Sequence, residues 1–200
     1  MRFIGLTGGI ASGKTTAHRM LVELGASVLD ADAVYHQLLA PVQGKPSPLA
    51  LAVAKRFPGV LTPEGTIDRR VLGARVFADH RERAALEELT HPAVGAETAR
   101  QLEAIVARGV GLAFYDVPLL YEARLDQGMD GVVVVWVPRD VQLARLMARD
   151  HLDRAAAEAR LAAQLPLDEK RRRATWVIDS SGSFDATRAQ VERLWRELSP

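Results

Sequence analysis

The chain has 200 residues, 48% of them hydrophobic and 26% charged, the balance of an ordinary soluble globular protein with material for one sizeable core. Its 26 basic residues stand against 25 acidic ones, a net charge of +1, so no global field draws in nucleic acid. With no cysteine, disulfides, thiolate metal sites and a cysteine nucleophile are excluded, a pattern that fits a reducing cytoplasm.

Residues 2–7 are short and mostly apolar and read as a buried strand, reached at once, so no signal peptide is expected. No apolar run nears the roughly 20 residues that cross a bilayer. Gly8 to Thr15 then read Gly-Gly-Ile-Ala-Ser-Gly-Lys-Thr, the spacing G-x-x-x-x-G-K-[ST] of a phosphate-binding loop. Residues 16–24 repeat apolar side chains at Ala17, Met20, Leu21 and Leu24, as a helix does. Strand, glycine loop and helix are the context the motif requires. Its glycines let the backbone bend around an anion, and the helix N-terminus points N–H groups at phosphate oxygens. Lys14 reaches the β/γ-phosphates in this arrangement, and the Thr15 hydroxyl binds Mg²⁺.

Residues 26–29 predict a second strand, ending in Asp30-Ala31-Asp32. Acids just past the carboxyl end of a strand lie where open α/β sheets bind ligands. One of the two also suits the N-cap of a helix over 33–39. Residues 41–68 are broken by five prolines and by Gly44, Gly59 and Gly65, leaving a helix over 49–56. Helical stretches follow from 67 and over 81–89. Thr90-His91-Pro92 is expected to interrupt them, since proline disfavours helix in the residue before it, and a new helix runs over 93–107. An all-helical block of this size at the ligand edge suits an acceptor-binding subdomain.

Residues 110–116 are an apolar strand ending in Asp116, the Walker B arrangement that supports Mg²⁺. Val117 to Glu122 leave it as a turn with a second acid. Residues 132–137, a continuous β-branched run closed by Trp136 and Val137, are a strand buried on both faces. Residues 140–165 read as helical and arginine-rich. Arg145 and Arg149 are four apart and share a face; without an anion such stacked cations repel, which points them at the nucleotide, whereas Arg154 suits a solvated i,i+4 pair. Pro166 stops this segment, 175–178 form a fifth strand, and 186–198 a closing helix. Alternation of strand and helix predicts a five-stranded parallel sheet flanked by helices. His18, His36, His80 and His151 have no partner at metal-ligand spacing and read as surface residues.

In chain order, Gly5-Leu6-Thr7-Gly8-Gly9-Ile10-Ala11-Ser12-Gly13-Lys14-Thr15, Asp30-Ala31-Asp32, Thr90-His91-Pro92 and Asp116-Val117-Pro118-Leu119-Leu120-Tyr121-Glu122 resemble the pattern of the dephospho-CoA kinase family. Gln142, Arg145, Arg149, Arg160 and Gln164 match it too. The resemblance implies a P-loop NTPase fold and transfer of the ATP γ-phosphoryl to the ribose 3′-hydroxyl of dephospho-CoA. It also implies a core made of residues 1–32, 108–139 and 167–200, a helical CoA-binding insertion over 33–107 and a lid over 140–166. The expected ATP site is Gly8, Gly9, Ile10, Ala11, Ser12, Gly13, Lys14, Thr15 and Thr16 with Arg145 and Arg149, and Thr15 and Asp116 hold Mg²⁺. Lys14, Asp32, Arg145 and Arg149 form the catalytic set, Asp32 orienting the acceptor hydroxyl. Thr7, Asp32, His91, Leu119, Leu120, Glu122 and Arg160 are expected on the acceptor side; His91 reads equally as the holder of the bend before Pro92. A monomer or weak homo-oligomer, without nucleic-acid or membrane partners, is expected.

Two departures stand out. Ala11 occupies a position where glycine is usual, and Ala174-Thr175-Trp176-Val177-Ile178-Asp179-Ser180 lacks the Asp and the Asn of the family's A-D-x-V-I-x-N. From the residues alone two other readings stay open. One is a P-loop kinase for another small acceptor. The other is a GTP-dependent switch, although no N-K-x-D is present.

Overall fold

The computed structural model describes residues 1–199; Pro200, the last residue of the expected core segment 167–200, lies outside them. The elements are β1 (Arg2–Gly8), α1 (Lys14–Glu23), β2 (Ser27–Asp30), α2 (Ala31–Leu39), α3 (Pro48–Arg56), α4 (Arg69–Ala78), α5 (His80–Ala107), β3 (Leu112–Asp116), β4 (Gly131–Trp136), α6 (Arg139–Asp150), α7 (Arg154–Ala162), α8 (Leu167–Arg173), β5 (Trp176–Asp179) and α9 (Phe184–Leu198). The five strands form one parallel sheet in the order β2-β3-β1-β4-β5. Among the described residues no helix is long and apolar enough to cross a membrane. The chain folds as two compact units, one of residues 1–29 with those from 104 onward, the other of residues 30–103.

In the first unit β1 is central, between β3 and β4. Ile4 and Leu6 on one face join Phe114, Val133, Val135 and Ile178 in the core. Ala17, Met20 and Leu21 of α1 and Val191, Leu194 and Leu198 of α9 cover them, each set at the spacing that puts side chains on one helix face. On the other face Gly5 leaves room for the chain after β3: a Cβ there would stand 2.6 Å from both Leu120 Cδ1 and Met129 Sδ. The register pairs Leu6 with Asp116, and Val117 N–H donates to the Leu6 carbonyl at 3.0 Å. The acid that ends β3 therefore sits beside the last turn of β1 before the glycine loop.

The second unit has its own core of Leu39, Ala50, Val53, Phe57, Val60, Ile67 and Leu72. Its helices start on side-chain caps: Asp30 for α2, Ser47 with Pro48 behind it for α3, Asp68 for α4.

Three local expectations change. Thr90-His91-Pro92 does not end a helix; α5 runs unbroken through Pro92 for 28 residues. A proline removes one backbone bond from the ladder. Here Thr90 Oγ1 donates to the Leu86 carbonyl at 2.8 Å, and Ala85, Leu86 and Leu89 pack on the core, which holds the preceding turns in place. Residues 140–165 are two helices, because His151 turns left-handed (φ 53°) and Asp153 caps a new start on the Ala156 N–H. Pro166 both stops that segment and opens the short α8.

Candidate active site

The loop between β1 and α1 is shaped to leave helix N–H groups open. Gly13, at φ 91°, is the N-cap of α1 and offers no side-chain cap; its carbonyl takes the Thr16 and Ala17 N–H groups, which leaves those of Lys14 and Thr15 without an intrahelical partner. A methyl at Gly13 would collide with the Ser180 hydroxyl and come within 3.8 Å of Arg145 Nη1. Ala11 takes φ 59°, which explains why glycine is usual there. The strain costs roughly 1–2 kcal/mol, and the packing of Ile10 and Ala11 on Leu143, Leu146, Ala157 and Leu161 offsets it. The Ala11 methyl is thus spent on packing with α6 and α7.

Ile10, expected at the ATP site, is bound within the protein. Its carbonyl accepts from Gln142 Nε2 at 2.8 Å and its N–H donates to Gln164 Oε1 at 2.9 Å. Ile10 is where the loop is mounted on α6 and on the segment before Pro166. Gln142 is itself buried, and a methyl at Gly9 would strike its amide nitrogen.

Asp116 is 2% exposed and its two oxygens have different holders. Lys14 Nζ pairs with Oδ1, and His18 Nδ1 meets Oδ2 at 2.7 Å. Thr15 is exposed and Thr16 half-buried on the same first turn. His18 is therefore no surface residue, unlike His36, His80 and His151, which are exposed as expected. The signal was present: residues 14 and 18 are four apart on one helix, so they lean to the same side.

Several expected acceptor contacts are engaged elsewhere. Thr7 is wholly buried and its hydroxyl donates to the Pro118 carbonyl at 3.1 Å. Leu120 is wholly buried beneath Gly5, while Leu119 is half-buried. Glu122 Oε1 accepts from the Leu165 N–H at 2.9 Å and pairs with Lys170 Nζ at 2.9 Å. Lys170 has no exposed surface. Burial pushes its ammonium below the ordinary lysine value, and Glu122 works against that shift. Sequence reading passed over this lysine, since a charged residue among Asp168, Glu169 and three arginines looks like solvated helix.

The lid-segment arginines part company. Arg145 donates to the Ser180 carbonyl at 2.8 Å and lies 3.5 Å from its hydroxyl, beside Gly13. Arg149 grips Asp150 with two nitrogens at 2.7 and 3.1 Å, and Arg160 reaches the same carboxylate at 2.6 Å. Arg149, then Arg160, hold the Asp150 carboxyl below its ordinary range. Arg149 is therefore not an unpaired cation, because the protein supplies its anion. Arg154 makes the expected i,i+4 pair with Glu158 at 2.9 Å. Where the family reads Asp and Asn, Thr175 Oγ1 accepts from Val132 N–H at 3.1 Å and Ser180 carries Arg145. In the second unit Asp30 is the cap of α2, accepting from Ala33 N–H at 3.0 Å. Asp32 is exposed in the first turn, and His91 is exposed on α5.

A family model described as dephospho-CoA kinase matches residues 2–186. The dephospho-CoA kinase of Symbiobacterium thermophilum is 52% identical over 197 residues, which cover 98% of this chain and 81% of that protein. A solved structure from Thermus thermophilus superposes with a TM-score of 0.81 at 34% identity, covering 100% of this chain and 98% of the other. Dephospho-CoA kinase from Campylobacter jejuni gives 0.68 at 29% identity, with 99% and 97% covered. A glycine loop on the central strand and a cation resting on the neighbouring strand's terminal acid describe many phosphate enzymes, and it is the match along nearly the whole length that narrows them: the chain belongs to the dephospho-CoA kinase family.

Proposed function

We propose that this kinase of the last step of coenzyme A synthesis passes the γ-phosphoryl of ATP to the ribose 3′-hydroxyl of dephospho-CoA at the carboxyl edge of β1 and β3. The observation that carries the reading is the pairing of Lys14 with Asp116 beside an uncapped helix N-terminus. Anion-binding backbone, a cation and a buried carboxylate meet in one place. Phosphoryl transfer needs mainly positioning and charge neutralisation. The N–H groups of Gly9, Gly13, Lys14 and Thr15 receive the phosphates, and Lys14 leaves Asp116 for the β/γ oxygens. The donors left behind, the Thr15 hydroxyl and the Asp116 carboxylate, are hard oxygens of the kind Mg²⁺ takes. When bound, Mg²⁺ neutralises phosphate charge. His18 keeps Asp116 Oδ2 in place throughout.

Asp32 orients the acceptor hydroxyl and takes its proton as the oxygen bonds to the γ-phosphorus and the bridge to the β-phosphate breaks. Arg145 and Arg149 offset charge on the transferring group, with Arg160 beside them. Residues 33–107 take the CoA portion, with His91 and Leu119 as contacts, and 140–166 close over ATP. The test is ADP release from ATP and Mg²⁺ with dephospho-CoA, with mass detection of the product. A product one phosphoryl group heavier is expected. ADP release without it, or preference for another hydroxyl acceptor in a panel, would overturn the acceptor assignment.

A further inference from the structure

Lys170 is the one fully buried charged side chain in the core of the described residues, and the chemistry proposed above does not use it. Its ammonium has three protons and three acceptors: Glu122 Oε1 at 2.9 Å, the Pro118 carbonyl at 3.0 Å and the Gly8 carbonyl at 3.3 Å. These come from three separate places, the last residue of β1, the loop that continues from Asp116, and the acid that closes that loop. Glu122 in turn accepts from Leu165 N–H, just before α8 starts. Next to Leu165, Gln164 holds Ile10 N–H. The ammonium therefore holds Gly8 at the start of the phosphate loop directly and lies one segment away from the mounting of Ile10.

What it fixes follows from the planarity of the peptide bond. The Gly8 carbonyl and the Gly9 N–H belong to one rigid plane and point to opposite sides. Two adjacent glycines could turn that plane at little cost. A buried cation that holds the carbonyl down keeps the Gly9 N–H pointing the other way. Pro118 lies two residues beyond Asp116, and its carbonyl also receives the Thr7 hydroxyl, so the same contact anchors the chain on which Asp116 is carried.

We infer that Lys170 is a positioning residue for phosphoryl transfer, fixing the first peptide of the phosphate loop and the strand end that bears Asp116, with Glu122 as its counter-ion. The inference rests on the proposed binding of ATP at that loop. It is tested with Lys170→Met, which keeps a straight side chain without charge, and with the double variant Lys170→Met/Glu122→Gln. Lys170 is the buried member and Glu122 keeps a quarter of its side chain in solvent, so removing Lys170 leaves a partly hydrated carboxylate without its counter-ion, whereas neutralising both removes that charge. Melting should fall in the single variant and recover in the double. A purely structural lysine would have kcat recover with it. A positioning lysine leaves kcat at least tenfold below the parent and ATP binding at least tenfold weaker in both variants. Kinetics are read at a temperature where circular dichroism shows each variant folded, and if one does not fold the other decides. A kcat and ATP affinity within threefold of the parent in a folded variant lacking Lys170 overturns the inference. If the parent makes no phosphorylated dephospho-CoA, the proposed function fails by itself, while equilibrium ATP binding still decides for or against Lys170.

Discussion

Asp116 carries Lys14 on one oxygen and His18 on the other, and that sets what each substitution should do. In the proposed mechanism Lys14→Ala and Asp116→Ala remove groups that serve charge growing in the transition state, where one preorganised contact is worth roughly 3 kcal/mol. Each should lower turnover at least a hundredfold with the fold retained; near-normal turnover at saturating ATP and Mg²⁺ would remove that residue from the mechanism. His18→Ala withdraws only the second holder of the carboxylate, a bond of about 1.5–3 kcal/mol if charged, so a tenfold loss is expected, with a raised Mg²⁺ requirement. A Mg²⁺ titration superimposable on the parent's would make His18 a bystander. Asp30 at the end of β2 and Asp32 in the first turn of α2 separate in the same way. Asp30 is the cap, so Asp30→Ala should cost about 1 kcal/mol of stability. Asp32→Asn should keep the thermal midpoint and lose about a hundredfold or more in kcat, the weight of a positioned acid–base group. Full activity in Asp32→Asn would take it out of the chemistry.

At the scale of elements, α6 and α7 put Arg149 and Arg160 on one carboxylate, Asp150, while Arg145 is fastened to the end of β5. If Asp150 merely holds these side chains until ATP arrives, Arg149→Ala should lower kcat tenfold or more with little change in dephospho-CoA KM. Unchanged kinetics would leave it a solvated helix face. α5 allows a pH test. Its Glu97 accepts from Arg100 and Gln101, and the Arg100 bonds first, then that of Gln101, bring the carboxyl from 4.5 down to about 2. The folded value is depressed, so the contribution is present above the unfolded value near 4.5 and is lost as pH falls through about 2. Carboxyl NMR should place the midpoint near 2 in the parent and return it toward 4.5 in Arg100→Ala. A midpoint unmoved by that substitution would contradict the assigned cause.

For the whole molecule, ligand linkage reports on the phosphate site without turnover. ATP with Mg²⁺ at a hundred times its Kd should add about 2.7 kcal/mol to stability, read as a rise in the thermal midpoint. Lys14→Ala should abolish most of that rise; a full rise would mean that ATP binds elsewhere.

The phosphate loop, the acid ending β3 and the five strands were legible because their signals are local. G-x-x-x-x-G-K-T, an apolar run closed by Asp116 and the 3.6-residue spacing of Ala17, Met20, Leu21 and Leu24 all lie within a few residues. The length match to one family then followed from motifs in order. Tertiary structure decided what those signals could not reach. His18 meets an acid 98 residues away, Gln164 mounts a loop 154 residues away, and Lys170 is buried by carbonyls 52 and 162 residues away. Pro92 continues a helix because its neighbours pack on a core assembled from α2, α3 and α4. Propensity and periodicity act within a turn or a strand, whereas a charge is worth burying, or a proline worth tolerating, only once distant segments bring acceptors and apolar surface to it.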